Sequence, residues 1–243
     1  MGGCTMSEET MVEQSKTSFP SRLINVFIAP GETFKDVKRR AGWLIPLIVL
    51  TLGTMALSYV MQPVITKFQR EQATSQMEKR GMSQEQIDGI LEQQQVFTKP
   101  YFLIPVAGVT TILMTLIGAA IWLFVVSFIL GGKAGFGQVL SVNTYRAFIP
   151  LLGTVIKLPI ILTKETILVH FSLATFMSDA ASQTFLYKFL MNIELFNIWS
   201  IAVLCIGLAV LAETSVKKVW PWVVGLYLLW WLGSAGFSTL LGG

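Results

Sequence analysis

The stretch "TILMTLIGAAIWLFVVSFIL", residues 111–130, decides the fold, because it contains no charged side chain. A helix rises 1.5 Å per residue, so about 20 residues cross a hydrocarbon core ~30 Å thick. Lipid offers no hydrogen bonds, so an isolated apolar run must satisfy its own backbone and therefore coils into a helix. The same signal recurs along the chain. Apolar blocks run over 43–62, 101–130, 147–163, 195–212 and 219–240. They predict an all-α integral membrane protein with five transmembrane helices. The second block is longer than needed and must tilt or project into water. The third is barely long enough.

The totals agree. Of 243 residues, 53% are hydrophobic and 13% charged, with a mean hydropathy of +0.63. A soluble domain carries about twice that share of charge. The net charge is +4 and the pI about 9.1. In a membrane protein this excess reflects positive-inside anchoring, and no alternation of basic and aromatic residues points to nucleic acid. Cys4 lies in the N-terminal tail and Cys205 in an apolar run, so no disulfide is predicted. With a single histidine, His170, a His-rich metal site is excluded, and no cofactor motif is present. The opening "MGGCTMSEE" does not fit myristoylation, since Met6 stands where Ser or Thr is required, and it reads as a tag scar or a misplaced start.

Lysines and arginines near span ends set the orientation. The segment before the first span carries Arg22, Lys35, Lys38, Arg39 and Arg40; the loop 131–146 carries Lys133 and Arg146; the loop 213–218 carries Lys217 and Lys218. Five spans put all three on one side, predicted cytoplasmic, with the C-terminus outside. In the loop 63–100, by contrast, Glu71, Glu78, Glu85, Asp88 and Glu92 sit among the basic residues. Trp43, Trp220 and Trp222 fit interface anchors, whereas Trp230 and Trp231 read as packing residues.

Around the membrane domain, 43–240, the remaining segments read as follows. Residues 1–18 are a disordered tail. Residues 19–42 form an interfacial amphipathic segment, with Leu23 and Phe27 on one face and a break at Pro30-Gly31, its basic side toward anionic lipid. Residues 63–100 form a polar helical hairpin of about 64–80 and 83–98 that stands on the outer side as an extension of the first two spans, turned at Gly81 and with a Ser83…Gln86 capping box after the turn. In the loop 164–194, Phe185, Leu186, Phe189 and Leu190 make an amphipathic stripe, with His170 upstream as an interfacial polar residue.

Lys157, in "LLGTVIKLPIILTKE" (151–165), is the residue in need of explanation. A lysine at a span centre costs roughly 2.5–3.5 kcal/mol on insertion scales. It lies about 10 Å below Lys164, and side chains lean toward a helix N-terminus, so snorkelling to the near surface is awkward. Pro159 leaves the Val155 carbonyl without its usual partner, and that carbonyl could receive the ammonium. In one reading Lys157 pairs with Glu194 or Glu165 and orients the fold. In the other it lines a path for an anion or a lipid headgroup.

Three segments together resemble the YIP family, the Ypt/Rab-interacting membrane proteins with the "Yip-one" domain. They are "FIAPGETFKDVKRRAGWLIPL" (27–47) with Pro30 and Phe34, "GGKAGFGQVLSVNTYRAFIPLL" (131–152) with Tyr145 and Pro150, and "IELFNIWSIAVLCIGLAVL" (193–211) with Phe196, Trp199 and Gly207. The resemblance covers residues 19–240. It implies a polytopic membrane protein. Eukaryotic members of the family help organise vesicle traffic with small GTPases and carry a longer cytosolic N-terminal region with an acidic-aromatic motif. This chain has no such motif and looks like the bacterial branch. That implies an inner-membrane location and no Rab-type GTPase partner. The glycines 131, 132, 135 and 137 do not have Walker spacing around Lys133, so they are no phosphate cradle.

No HExxH, G-x-S-x-G, Cys–His pair or paired intramembrane aspartates occur, so no enzyme is predicted. The leading expectation is a scaffold or assembly and trafficking factor that sits in the lipid bilayer and binds a membrane-protein partner or its own copies. Small residues (Gly118, Ala119 and Ala120; Gly233, Ala235 and Gly236) favour close helix contact. The alternative is a transporter of a small molecule, anion or lipid with its site at Lys157 and Pro159.

Overall fold

In the computed structural model, residues 18–169, 171–177 and 184–242 are described. The tail with Gly2, Cys4 and Met6, and His170, lie outside them. α1 (Phe19–Ile28) and α2 (Pro30–Arg39) form a short helical pair. Proline begins each helix in its first turn, where its missing N–H has no intrahelical partner to lose. α3 (Leu44–Lys79) and α4 (Gln84–Thr98) follow, then α5 (Pro100–Phe124) and α6 (Phe136–Lys164). A seven-residue α7 (Phe185–Met191) precedes α8 (Leu195–Leu211) and α9 (Val216–Gly242). Among the described residues, three stretches are long and apolar enough to cross a membrane: Leu44–Lys79, Pro100–Ile129 and Phe136–Lys164. α8 is apolar but has 17 residues.

The first span and the first arm of the hairpin are, as expected, one continuous helix: α3 runs on through Pro63 for 36 residues. Beside that proline Gln62 donates to the Thr98 carbonyl at 3.1 Å and so ties α3 to the end of α4. The hairpin turn itself falls at Gly81, whose φ of +75° suits glycine alone. Ser83 and Gln86 then cap each other. α5 ends in a π-helical turn, Val125–Ile129. α6 starts eleven residues earlier than the predicted third span, at Phe136 rather than 147. Gln138 makes that early start possible. Its side-chain oxygen accepts from the Gly135 N–H at 2.7 Å, and its amide donates to the Lys38 carbonyl at 2.6 Å. Arg146 is therefore inside a membrane helix and does not belong to a loop.

The segment 19–42 has one face in the bundle and one outside it. Val26, Phe34 and Val37 are fully buried in the common core with α6 and α8, while Ile24 and Ile28 stay exposed. Arg22 holds the pair together through Asp36 at 2.7 Å, so this arginine is a structural clamp. At two positions the α2–α6–α8 packing depends on glycine. A Cβ on Gly207 would overlap Val142 and lie 3.1 Å from the Phe34 ring, and one on Gly153 would lie 2.6 Å from the Phe196 ring. Gly233 and Gly236 of α9, in contrast, face open space. Trp231 is buried and Trp230 exposed.

The three basic segments meet at one end of the bundle. Lys38 of α2 pairs with Glu213 at 2.5 Å, Gly132 approaches the Ala212 backbone, and the Trp43 ring lies against Gly137. Glu213 stands in the left-handed region at φ 52° and ends α8, with the Thr214 N–H returning to the Ala209 carbonyl. The other end repeats the device. Glu165, at φ 49°, ends α6 and pairs with Lys67 of α3 at 2.6 Å. In both places a residue strained for a side chain is pinned by a lysine from another helix.

Two outcomes follow from this packing. Gly207→Val should lower stability by about 1–3 kcal/mol, as overpacking of a filled core does, read as a lower melting temperature in detergent. The Lys38 ammonium holds the Glu213 carboxyl below the usual glutamate range. Its stabilisation is therefore complete above the ordinary glutamate pKa and is lost as pH falls through the depressed value. The melting difference between wild type and Lys38→Met should be small at neutral pH, shrink with salt, and close in acid; a difference that persists unchanged at low pH would contradict the pairing.

Candidate intramembrane polar site

α6 carries two cations into the apolar bundle, Arg146 and Lys157, about 16 Å apart along the helix. An unpaired charge at a span centre is costly, roughly 2.5–3.5 kcal/mol on insertion scales. The way each is satisfied determines what the site can do.

Lys157 is paired. Its ammonium donates to the Glu194 carboxylate at 2.5 Å, and each side chain is only 15% exposed. Glu194 is the residue that precedes α8, where a carboxylate is also favoured by the helix dipole. Its backbone is held by an antiparallel bridge with Ser172, in which Leu195 donates to the Phe171 carbonyl and Leu173 to that of Ile193. Of the two acids offered by the sequence, the structure thus brings Glu194 to Lys157. Glu165 is occupied with Lys67 on the rim. Pro159 lies inside α6, exposed, with its carbonyl accepting from Thr163 at 2.7 Å.

Arg146 was missed as an intramembrane charge, because Asn143, Thr144 and Arg146 interrupt the apolar run and read as loop. The available signal was the i, i+3 spacing of Asn143 and Arg146, which puts both on one helix face. The structure uses that spacing: Arg146 Nε donates to Asn143 Oδ1 at 2.9 Å, and Arg146 Nη1 to Ser200 Oγ of α8 at 3.1 Å. Asn143 in turn donates to the Thr115 carbonyl of α5 at 2.9 Å, with Gly118 leaving room for its amide. The Tyr227 ring of α9 lies 5.9 Å from the guanidinium carbon, within cation–π range. A groove of about 340 Å³ opens beside this network, bounded by α3, α5 and α6.

The seven motif positions do not gather into a site. Pro30 opens α2. Phe34 and Tyr145 are fully buried. Phe196 covers Gly153, and Trp199 packs between Phe27 at 5.7 Å and Phe196 at 6.4 Å. Gly207 admits Val142 and Phe34. They are packing contacts of α1, α2, α6 and α8. Pro150 alone borders the groove. Among the described residues no three His, Cys, Asp or Glu side chains gather as a metal set, and Cys205 is buried and free.

Comparison with known families gives one match: the model for the Yip1 domain covers residues 24–237, most of the chain. No curated protein matches the chain, nor does any solved structure.

Removing one member of a buried pair strands the other. Lys157→Met should therefore destabilise the protein by about 3 kcal/mol, while Lys157→Met combined with Glu194→Gln should recover much of that loss. Thermal unfolding of the single and double variants in detergent measures it. Additive losses in the double variant would mean that the two side chains do not interact.

Proposed function

Because this chain belongs to the Yip1 domain family, we propose that it acts as a non-enzymatic scaffold, an assembly or trafficking factor for other membrane proteins. The observation that carries this reading is the length of α3. Its 36 residues extend about 54 Å, well beyond a ~30 Å hydrocarbon core. Its polar C-terminal half and α4 form an antiparallel hairpin that stands off the membrane, with a buried Ile87 and a capped turn at Ser83. A charged helical projection of this length suits the binding of a protein partner.

The same reading includes five crossings, with α8 and α9 completing the three long helices. α8, at 17 residues, spans about 26 Å, near the core thickness. The N-terminus is cytoplasmic and the C-terminus outside, supported by the meeting of Lys35, Lys38 and Arg39 with the turn at Glu213–Ser215 at one end. We assign the chain to the bacterial-type branch, in the inner membrane and without a Rab-type GTPase partner. A transport path centred on Lys157 is disfavoured by the Glu194 pair, since a neutralised lysine presents no free charge to a passing anion.

A photo-crosslinking residue at Ser75 or Asp88, both exposed on the hairpin, tests the proposal in native membranes, with the exposed apolar position Ile48 of α3 as control. Discrete protein adducts from the hairpin positions, absent at Ile48, are expected. Equal labelling at all three, or no protein adduct, would overturn the scaffold reading.

A further inference from the structure

We propose that the groove between α3, α5 and α6 is a binding site for an oxyanion, a phosphate or carboxylate group, held on the guanidinium of Arg146. Among the described residues no acid pairs with Arg146. The ion pairs among the described residues use Arg22, Lys35, Lys38, Lys67 and Lys157. Lys157 shows how the other charge on this helix is satisfied: Glu194, just ahead of α8, pairs with it. Arg146, about 15 Å into α6 from Phe136, receives only neutral partners.

Those partners position the fork without filling it. A guanidinium has five N–H donors and cannot shed its proton in a protein. Nε is spent on Asn143 and Nη1 on Ser200, and Nη2 has no partner among the described residues. Asn143 is locked by the Thr115 carbonyl, so the orientation of the guanidinium is set before any ligand arrives. An oxyanion is the group whose geometry matches the remaining donors.

The rest of the groove narrows the ligand further. Thr54, Thr111, Thr115 and Thr154 border it with Arg146. The hydroxyls of Thr115 and Thr154 donate to the Thr111 and Pro150 carbonyls of their own helices, while those of Thr54 and Thr111 lie 3.0 Å apart, one donating to the other, with the Thr51 and Ala107 carbonyls also in reach, so that all four protons are engaged. What they present to the groove is therefore oxygen lone pairs. One cation beside several acceptors fits an oxyanion that carries a hydroxyl or amine donor close by, as a glycerophosphate group does. Such a group can come from a phospholipid or from a water-soluble phosphate.

The test uses the full chain in a non-ionic detergent and follows its melting temperature against three probes: inorganic phosphate, glycerol 3-phosphate and dihexanoyl phosphatidylglycerol, with uncharged dihexanoyl glycerol as control. Saturable stabilisation by at least one phosphate-bearing probe, but not by the control, is expected. Arg146→Gln should weaken it roughly ten- to hundred-fold, the worth of a charged hydrogen bond, and Arg146→Lys should restore only part, because an ammonium lacks the fork. Ala147→Phe, which fills the groove without replacing a partner of Arg146, should abolish it. A response confined to the phosphatidylglycerol assigns the site to lipid, and a response to the two soluble phosphates assigns it to a free anion; both uphold the proposal. No saturable response to any probe, or an unchanged affinity in Arg146→Gln and Ala147→Phe, overturns it. Should Arg146→Gln fail to fold, Ala147→Phe decides alone. Cross-linking at the hairpin is independent of this result, so either reading can fail without the other.

Discussion

α6 takes two cations into a bundle built for hydrocarbon, and the rest of the structure is arranged around that constraint. Charge in a low-dielectric medium must be paired, hydrogen-bonded or brought to water. Lys157 is paired with Glu194, which brings the C-terminal part of α6 against the start of α8. Arg146 is hydrogen-bonded to Asn143 and Ser200 and lies against Tyr227, which ties the N-terminal part of the same helix to α8 and α9. Through Asn143 and the Thr115 carbonyl the network reaches α5. One helix thus organises its neighbours through polar contacts, and apolar packing fills the space between them.

The ends of the bundle are fastened by a second polar device. α6 and α8 each end on a glutamate in the left-handed region, Glu165 and Glu213, where glycine is the usual choice. A side chain there carries strain, yet it also gives a carboxylate to a lysine from a distant part of the chain, Lys67 or Lys38. Exposed pairs of this kind add little stability on their own. Their contribution is positional: α2 is held to the α8–α9 turn, and α3 to the end of α6.

The division between packing and chemistry runs along the same lines. The motif residues that mark the family are mostly core contacts: Phe34 and Gly207, Phe196 and Gly153, Trp199 and Phe27. They hold α2, α6 and α8 together and say little about what the protein handles. The residues with unused chemical capacity lie elsewhere, in the polar face of α6 at Asn143 and Arg146 and in the polar hairpin of α3 and α4.

The amino-acid sequence by itself determined the all-helical membrane class, the Gly81 turn with its Ser83–Gln86 cap and the family, and it singled out Lys157 as a charge to be satisfied. Each of these is local or compositional: an uncharged run of lipid-crossing length, a capping pair three residues apart, or a single charge among apolar neighbours. Only the tertiary structure decided that Glu194 and not Glu165 meets Lys157, that the segment 19–42 turns Val26, Phe34 and Val37 into the core, and that Arg146 lies within α6. Those outcomes rest on contacts between residues far apart in the chain. Gln138 bonds to the Lys38 carbonyl across 100 positions, and Lys157 to Glu194 across 37. Hydropathy averages neighbours along the chain, and it reads a polar turn of a buried helix as a loop whenever the groups that satisfy it come from another helix.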